Sequence, residues 1–460
     1  MINPTPRRCM AAAIIFGLAI AGCGGDGAGA NGRGEASRGE NGGAPSAYLV
    51  ERNVGDGVET VRTVSGSRWA ADATLVEALA IGEEIAEEAY LFGSITGAWA
   101  TDDRIYVIDA QVPVVRAYDL AGEHLFDVGG AGQGPGEYSR PVAIAVTEDG
   151  RVAVADAMNA RINIYDAEGA LLEDWPLAAQ KSALGLSLSY DGEIYTQSWS
   201  NEHGRMGMQA VGPDGLTGEL LFPPTIAFEP TTVSVGKGLE MIVPFSPVYT
   251  WAFAPGGEMI AGVGEHYRFE IHRRGGATML IERSAEPVAV HPEEARFRAR
   301  LASDAIRQMF PDGSMSSADV PPYKSAFTSF YPDRAGRVWV VRQGPARPDP
   351  RCIDAADIPP PTMLMPTKAG TNVEIAVEIA GKVRFLGAPA VEADALDGGC
   401  WADTFTFDLF DIVTGDFLGT IDAPEYGFRM PLFANADTVL AAVTDETGTV
   451  RLKKYRLQFH

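Results

Sequence analysis

The chain has 460 residues, 46% of them apolar, and a formal net charge of −24. That is ample material for a large core, and a negative field of this size repels phosphate backbones, which argues against nucleic-acid binding. Acidity of this kind favours solubility and names no partner.

In chain order, the N-terminus reads as an address. Arg7 and Arg8 precede an apolar run from Met10 to Ile20, too short to span a bilayer and suited to the core of a signal peptide. From Gly24 to about Ala47 the chain is Gly, Ala, Asn, Ser, Arg and Glu with almost nothing to bury, the composition of a flexible tether. Between them, Ala21-Gly22-Cys23 resembles the bacterial lipobox. The resemblance implies cleavage before Cys23, its diacylation, and stable anchoring to a bilayer. Gly24, where inner-membrane lipoproteins carry Asp, implies the outer membrane. The expected organisation is a signal peptide over 1–22, a tether over 23–47 and one globular domain over 48–460.

Two stretches of the globular part are copies of one unit. Asp103-Arg104-Ile105-Tyr106-Val107-Ile108-Asp109 is followed by Arg116-Ala117-Tyr118-Asp119 and Gly122, and Gly150 to Asp156 by Arg161 to Asp166 and Gly169. Asp103 to Gly150, Tyr118 to Tyr165 and Gly122 to Gly169 are each 47 residues apart. Self-similarity at this period points to a β-propeller, whose blades close on one axis as one all-β domain. Tight-turn pairs open six such units, at Asp102-Asp103, Asp149-Gly150, Asp191-Gly192, Gly256-Gly257, Ala335-Gly336 and Ala436-Asp437, each before a strand-like run. The sixth unit runs out of sequence after its third strand. Val58 to Val64 reads as the spare strand, and pairing it with the last blade would close the ring and remove an edge. The expected fold is a six-bladed β-propeller closed by an N-terminal strand.

Gly130-Ala131-Gly132-Gln133-Gly134-Pro135-Gly136-Glu137-Tyr138 before Pro141 to Val146, with Val154-Ala155-Asp156 and Asn159-Ala160-Arg161-Ile162, resembles the blade linker of NHL-type propellers. More broadly, the chain resembles the six-bladed propeller lipoproteins of bacterial envelopes. The glycine run is no phosphate loop, since no Gly-Lys-Ser/Thr follows and it leads into a strand.

The distance between successive first turns grows from 47 and 42 residues to 65, 79 and 101. The excess falls in two insertions, about 283–323 and 344–403, both expected on the face that carries the blade linkers, and loops gathered at one end of a scaffold are where function resides. In the first, Pro292 to Phe310 predicts a helix, with Pro at its start, Glu293 and Glu294 in its first turn and Pro311 as its stop; Phe297, Leu301, Ala305 and Met309 form its apolar edge. The second holds Cys352 and Cys400. Cys9 leaves with the signal and Cys23 is taken by lipid, so in an oxidising compartment this pair reads as a disulfide.

Basic residues sit at or before the inner strand of four blades: Arg140, Lys181, Lys324 and Arg429. Around the channel mouth they would form a cationic ring for a carboxylate, phosphate or acidic sugar, with Tyr249 and Trp251 as a stacking surface. The competing reading is that each is salt-bridged to an acidic neighbour. Asp109 and Asp156, with Arg116 and Arg161 across the turn, read as turn-stabilising ion pairs. Six histidines, with no His-x-His or His-Glu-x-x-His, suggest no metal site, no cofactor and no catalytic residue. Two function classes remain. One is a lipid-anchored binding or interaction module, monomeric, engaging a small anionic ligand, a glycan or an envelope protein at the looped face. The other is a metal-dependent propeller hydrolase or lyase, resembling the lactonases and amidating lyases in fold alone.

Overall fold

The computed structural model describes residues 47–177, 185–236, 239–310, 312–348, 362–366, 372–376, 401–445 and 448–460. The signal peptide, Cys23, nearly all of the tether, Lys181, Cys352 and Cys400 lie outside them.

In blades one, two, three, five and six a side chain folds the first tight turn. Thr101, Thr147 and Ser189 accept hydrogen bonds on their hydroxyls from the backbone N–H of Arg104 (3.0 Å), Arg151 (3.1 Å) and Glu193 (2.9 Å), and each hydroxyl donates to the Asp two residues on. In blade five Asp333 takes this place, accepting from the N–H groups of Ala335 and Arg337 at 2.9 Å each. Such local side-chain bonds favour turns over regular structure. All six expected first turns are present. Gly150 holds φ at 83°, a conformation open to glycine and strained for other residues.

Blades one to three are four-stranded antiparallel sheets: Ile95–Ala100 to His124–Val128, Pro141–Val146 to Leu171–Pro176, and Leu186–Leu188 to Gly215–Leu221. Blade four runs from Tyr249–Phe253 to Thr278–Arg283. Blade five is Ser329–Pro332, Arg337–Gln343, Phe405–Asp411 and Phe417–Asp422. Blade six is Phe433–Ala434, Val439–Thr444 and Val450–Phe459, completed by Ala73–Ile81.

The ring is therefore closed from the N-terminus, as expected, but by a different strand. Ala73–Ile81 pairs antiparallel with Val450–Phe459, whereas Val58–Ser65 runs parallel to Thr278–Arg283 on the outer edge of blade four. With Leu49–Gly55 it forms a hairpin that extends that blade to six strands. Between the two, Arg68 and Trp69 donate backbone N–H groups to the carbonyls of Phe417 and Leu418 (2.9 Å each) on the outer strand of blade five. Gly419 leaves room for the Trp69 indole, since a Cβ there would come within 2.7 Å of it, and Trp69 meets Phe459 edge-on at 5.0 Å. Residues 47–81 thus form a belt across the outer edges of blades four, five and six.

Apolar alternation along the strands places a core between every pair of neighbouring blades. The four-five interface is a phenylalanine cluster of Phe269, Phe327, Phe330, Phe410 and Phe417 joined by Val61 of the belt. The three-four interface is the smallest, built on Tyr195, Met208, Phe253 and Met259. Burial of this kind contributes roughly 25 cal/mol per Å² of apolar surface, so among the described residues the three-four cluster contributes least.

A separate small core lies in the linkers flanking blade four. The hairpin Thr232–Gly236 and Leu239–Ile242 packs Val235 and Val243 against Ala295, Ala299 and Ile306 of the helix Pro292–Met309. His291 caps that helix, its Nδ1 accepting from Glu293 N–H at 3.2 Å. The buried edge differs from the expected one: Ala295, Ala299, Ser303 and Ile306 face the core, while Ala305 is exposed and Phe297 lies beneath the guanidinium groups of Arg298 and Arg300. Small side chains win that edge because they let the helix approach the hairpin closely.

Candidate functional site

The linker face is stapled by carboxylates. Asp156, fully buried at the end of its strand, accepts from Ser139 N–H (2.8 Å) and Arg140 N–H (2.9 Å) in the incoming linker and from Met158 N–H (3.1 Å) and Asn159 N–H (3.3 Å) in its own turn. Asp109 does the same in blade one with the N–H groups of Gly93, Ser94 and Gln111. Linkers and second-to-third-strand turns therefore meet on one face. The expected ion pairs are half present: Arg116 lies 3.5 Å from Asp109, whereas Arg161 donates to the carbonyls of Gln133, Gly134 and Glu137 and so moulds the glycine-rich linker.

On that looped face the sequence-derived residues have different fates. Arg140 and Arg429 are exposed, and neither side chain has a partner among the described residues. Lys324 does not contribute a free charge. Its ammonium is buried 2.8 Å from Glu294 Oε1, donates to the Gly344 carbonyl at 3.0 Å and lies 5.0 Å from the centre of the Phe245 ring. The ring of four free cations is thus not assembled in that form. A buried ammonium needs a counter-ion, and the helix supplies one. Tyr249 donates its hydroxyl to the Pro224 carbonyl, and burial pushes that hydroxyl's pKa up to about 12. Trp251 packs partly buried on the three-four core. Both aromatics belong to blade packing more than to an open stacking surface.

The insertion neck is braced by the helix. Arg298 pairs with Asp403 at 2.6 Å, His291 stacks on Trp401 with centroids 4.6 Å apart, and Arg347 pairs with Ala402 across a short ladder. Helix, hairpin and the root of the blade-five insertion form one cap over blades four and five.

At the other end, the axis is crossed by Arg334, a residue outside the expected cationic ring. It lies between the first two strands of blade five, yet its Nη1 donates to the Leu188 carbonyl of blade three at 2.8 Å and its guanidinium carbon is 5.3 Å from the Trp99 ring centre of blade one. Blades one and three are not neighbours of blade five, so these contacts cross the channel. Trp99 also meets Phe433 at 5.0 Å. A signal was present: Asp102, Glu148, Tyr190, Pro255, Arg334 and Ala436 hold one equivalent turn position, and only one of them is basic.

Among the described residues no group of three or more His, Cys, Asp or Glu side chains is placed to hold a metal ion, and no helix is long and apolar enough to cross a membrane.

No curated protein matches this chain. Solved structures similar to it include a member of the DUF4221 family from Bacteroides vulgatus, 8% identical over 85% of this chain and 99% of that one with a TM-score of 0.43. A candidate exported protein from Bacteroides fragilis is 9% identical over 85% and 95%, with a TM-score of 0.41. Virginiamycin B lyase from Staphylococcus aureus is 11% identical over 84% and 99%, with a TM-score of 0.35. Similarity at this level carries no argument about activity. Residues 86–204, which span blades one and two and enter blade three, match a family model described as a 6-bladed beta-propeller, and the chain is a six-bladed β-propeller.

Proposed function

We propose that this protein is an exported, lipid-tethered binding module that engages a small anionic ligand or glycan at its looped face. The observation that supports this reading most is the exposure of Arg140 and Arg429 on that face, two cations without acidic partners among the described residues of a chain with a net charge of −24. Fixed positive charge in a negative surround focuses an anion onto one place. Export and anchoring follow from Arg7, Arg8, the apolar run and Cys23, and an outer-membrane position from Gly24.

A thermal-shift screen of protein lacking residues 1–46, against organic anions, acidic and neutral sugars and divalent metals, tests the reading. An anion or acidic sugar is expected to raise Tm, and the double reversal Arg140→Glu with Arg429→Glu to abolish that rise. A rise with a divalent metal alone, or the lack of any anion or acidic sugar whose rise the double reversal removes, overturns it. Mass spectrometry of the purified protein is expected to find acyl chains on Cys23 and none on a Cys23→Ser variant.

A further inference from the structure

The cation lying across the short-turn end of the axis has no ion-pair partner among the described residues. Arg334 is half-buried, and no carboxylate among the described residues lies within ion-pair distance of it. Its chain neighbour Asp333 is committed elsewhere, accepting from Ala335 N–H, Arg337 N–H, Arg337 Nε (2.6 Å) and Trp339 Nε1 (2.8 Å). Other arginines set among the blades do have acids: Arg116 has Asp109, Arg283 and Arg342 share Asp408, and Arg337 has Asp333. Glu148, exposed, acts on Arg334 only at longer range.

The guanidinium is also held in place. Its carbon lies 5.3 Å from the Trp99 ring centre and 5.7 Å from that of Tyr190, Nη1 is bonded to the Leu188 carbonyl, and the backbone N–H of Arg334 donates to the Ala434 carbonyl at 2.9 Å. Nε and Nη2 donate to nothing among the described residues and are not fully buried. Tyr190, 48% exposed, forms an accessible aromatic wall beside them. A fixed guanidinium with free N–H donors is a fork for a planar oxyanion, and aromatic walls favour a flat one. One monovalent cation near Glu148 suits a monoanion better than a phosphate dianion.

We propose that Arg334, Trp99 and Tyr190 form a carboxylate site on the propeller axis, at the end opposite the looped face and independent of Arg140 and Arg429. The probe is sodium benzoate, titrated into the purified full-length protein at constant ionic strength against sodium chloride, with Tm and calorimetric heat as readouts. Benzoate is expected to stabilise saturably and more than phosphate does. Arg334→Lys, which keeps the charge and loses the fork, is expected to weaken binding about tenfold, and Arg334→Met to abolish it. Glu148→Gln, at an exposed position, removes a competing charge and is expected to tighten binding about two- to fivefold. The double reversal at Arg140 and Arg429 is expected to leave benzoate binding unchanged. No response beyond that of chloride, full affinity in Arg334→Lys, or no gain in Glu148→Gln overturns the proposal, and the last two tests stand even if Arg334→Met does not fold.

Discussion

Blades one and two are held differently from blades four to six. The first two are local structures. Each is stapled by its own buried aspartate, and their outer strands, His124–Val128 and Leu171–Pro176, end their sheets with no further strand. Blade two guards that edge with Glu173 and Asp174 facing outward and Pro176 at its end, features that discourage pairing with another chain. Blades four to six rely on distant parts of the chain: the belt covers their edges, and a shared carboxylate ties four to five. Asp408, wholly buried in blade five, receives Tyr267 OH of blade four at 2.7 Å, the Arg283 guanidinium of blade four, Arg342 at 3.5 Å and the Thr420 hydroxyl. One half of the ring is stabilised by bonds close in sequence, the other by bonds that exist only once the ring is built.

Removing the shared carboxylate is the sharpest way to break that contrast. Asp408→Ala leaves two guanidinium groups and a tyrosine without their acceptor and is expected to cost about 4 kcal/mol in a denaturant melt. Native-state hydrogen exchange should show blades four and five opening first, and uniform loss around the ring would contradict the division. Asp156→Ala strands backbone N–H groups of linker and turn and is expected to cost about 2 kcal/mol. Its exchange effect should stay within blade two and the linker that enters it, and spread to blade five would count against local stapling.

The belt latch gives the smallest effect. Burial alone would raise the Asp416 pKa, but the Tyr48 hydroxyl, the Arg52 guanidinium and Thr414 outweigh it and hold the carboxyl below the usual range. A folded pKa below the unfolded value, about 3.9, means this stabilisation is present above that pH and fades as the pH falls through the folded pKa. Asp416→Asn is expected to cost about 1 kcal/mol at neutral pH and to flatten the acid limb of stability below about pH 4. Proteolysis within residues 47–72 should quicken in the variant at pH 7 and match wild type at low pH. A variant with an unchanged acid limb would remove Asp416 from the latch.

The same division explains what could be read from the sequence. Thr101-Asp102-Asp103, Thr147-Glu148-Asp149 and Ser189-Tyr190-Asp191 are local turn chemistry, so the turns, and through them the six blades, were legible. The closing strand was not. Ala73 to Ile81 reads Ala-Thr-Leu-Val-Glu-Ala-Leu-Ala-Ile, a run dominated by good helix formers, and its alternation is broken by a register shift between Glu77 and Leu79. The partner strand overrides that propensity. Val58 to Val64 carries cleaner β-branched alternation and drew the assignment, yet it pairs in parallel with blade four. Lys324 looked like a channel-mouth cation because nothing local marks Glu294 as its partner. Arg334 gains its position only when blades one, three and five are brought around the axis, a relation no sequence window contains.

The pairing of Ala73–Ile81 with Val450–Phe459 sets when this protein can finish folding. The first of these strands is made before blades one to five and its partner after them, so the early strand is held open while all five are being made. Contacts so remote in sequence form slowly. A chain without Val450–Phe459 would keep its five other blades and still expose an unpaired edge. Completion of the ring thus reports that all six blades have been made.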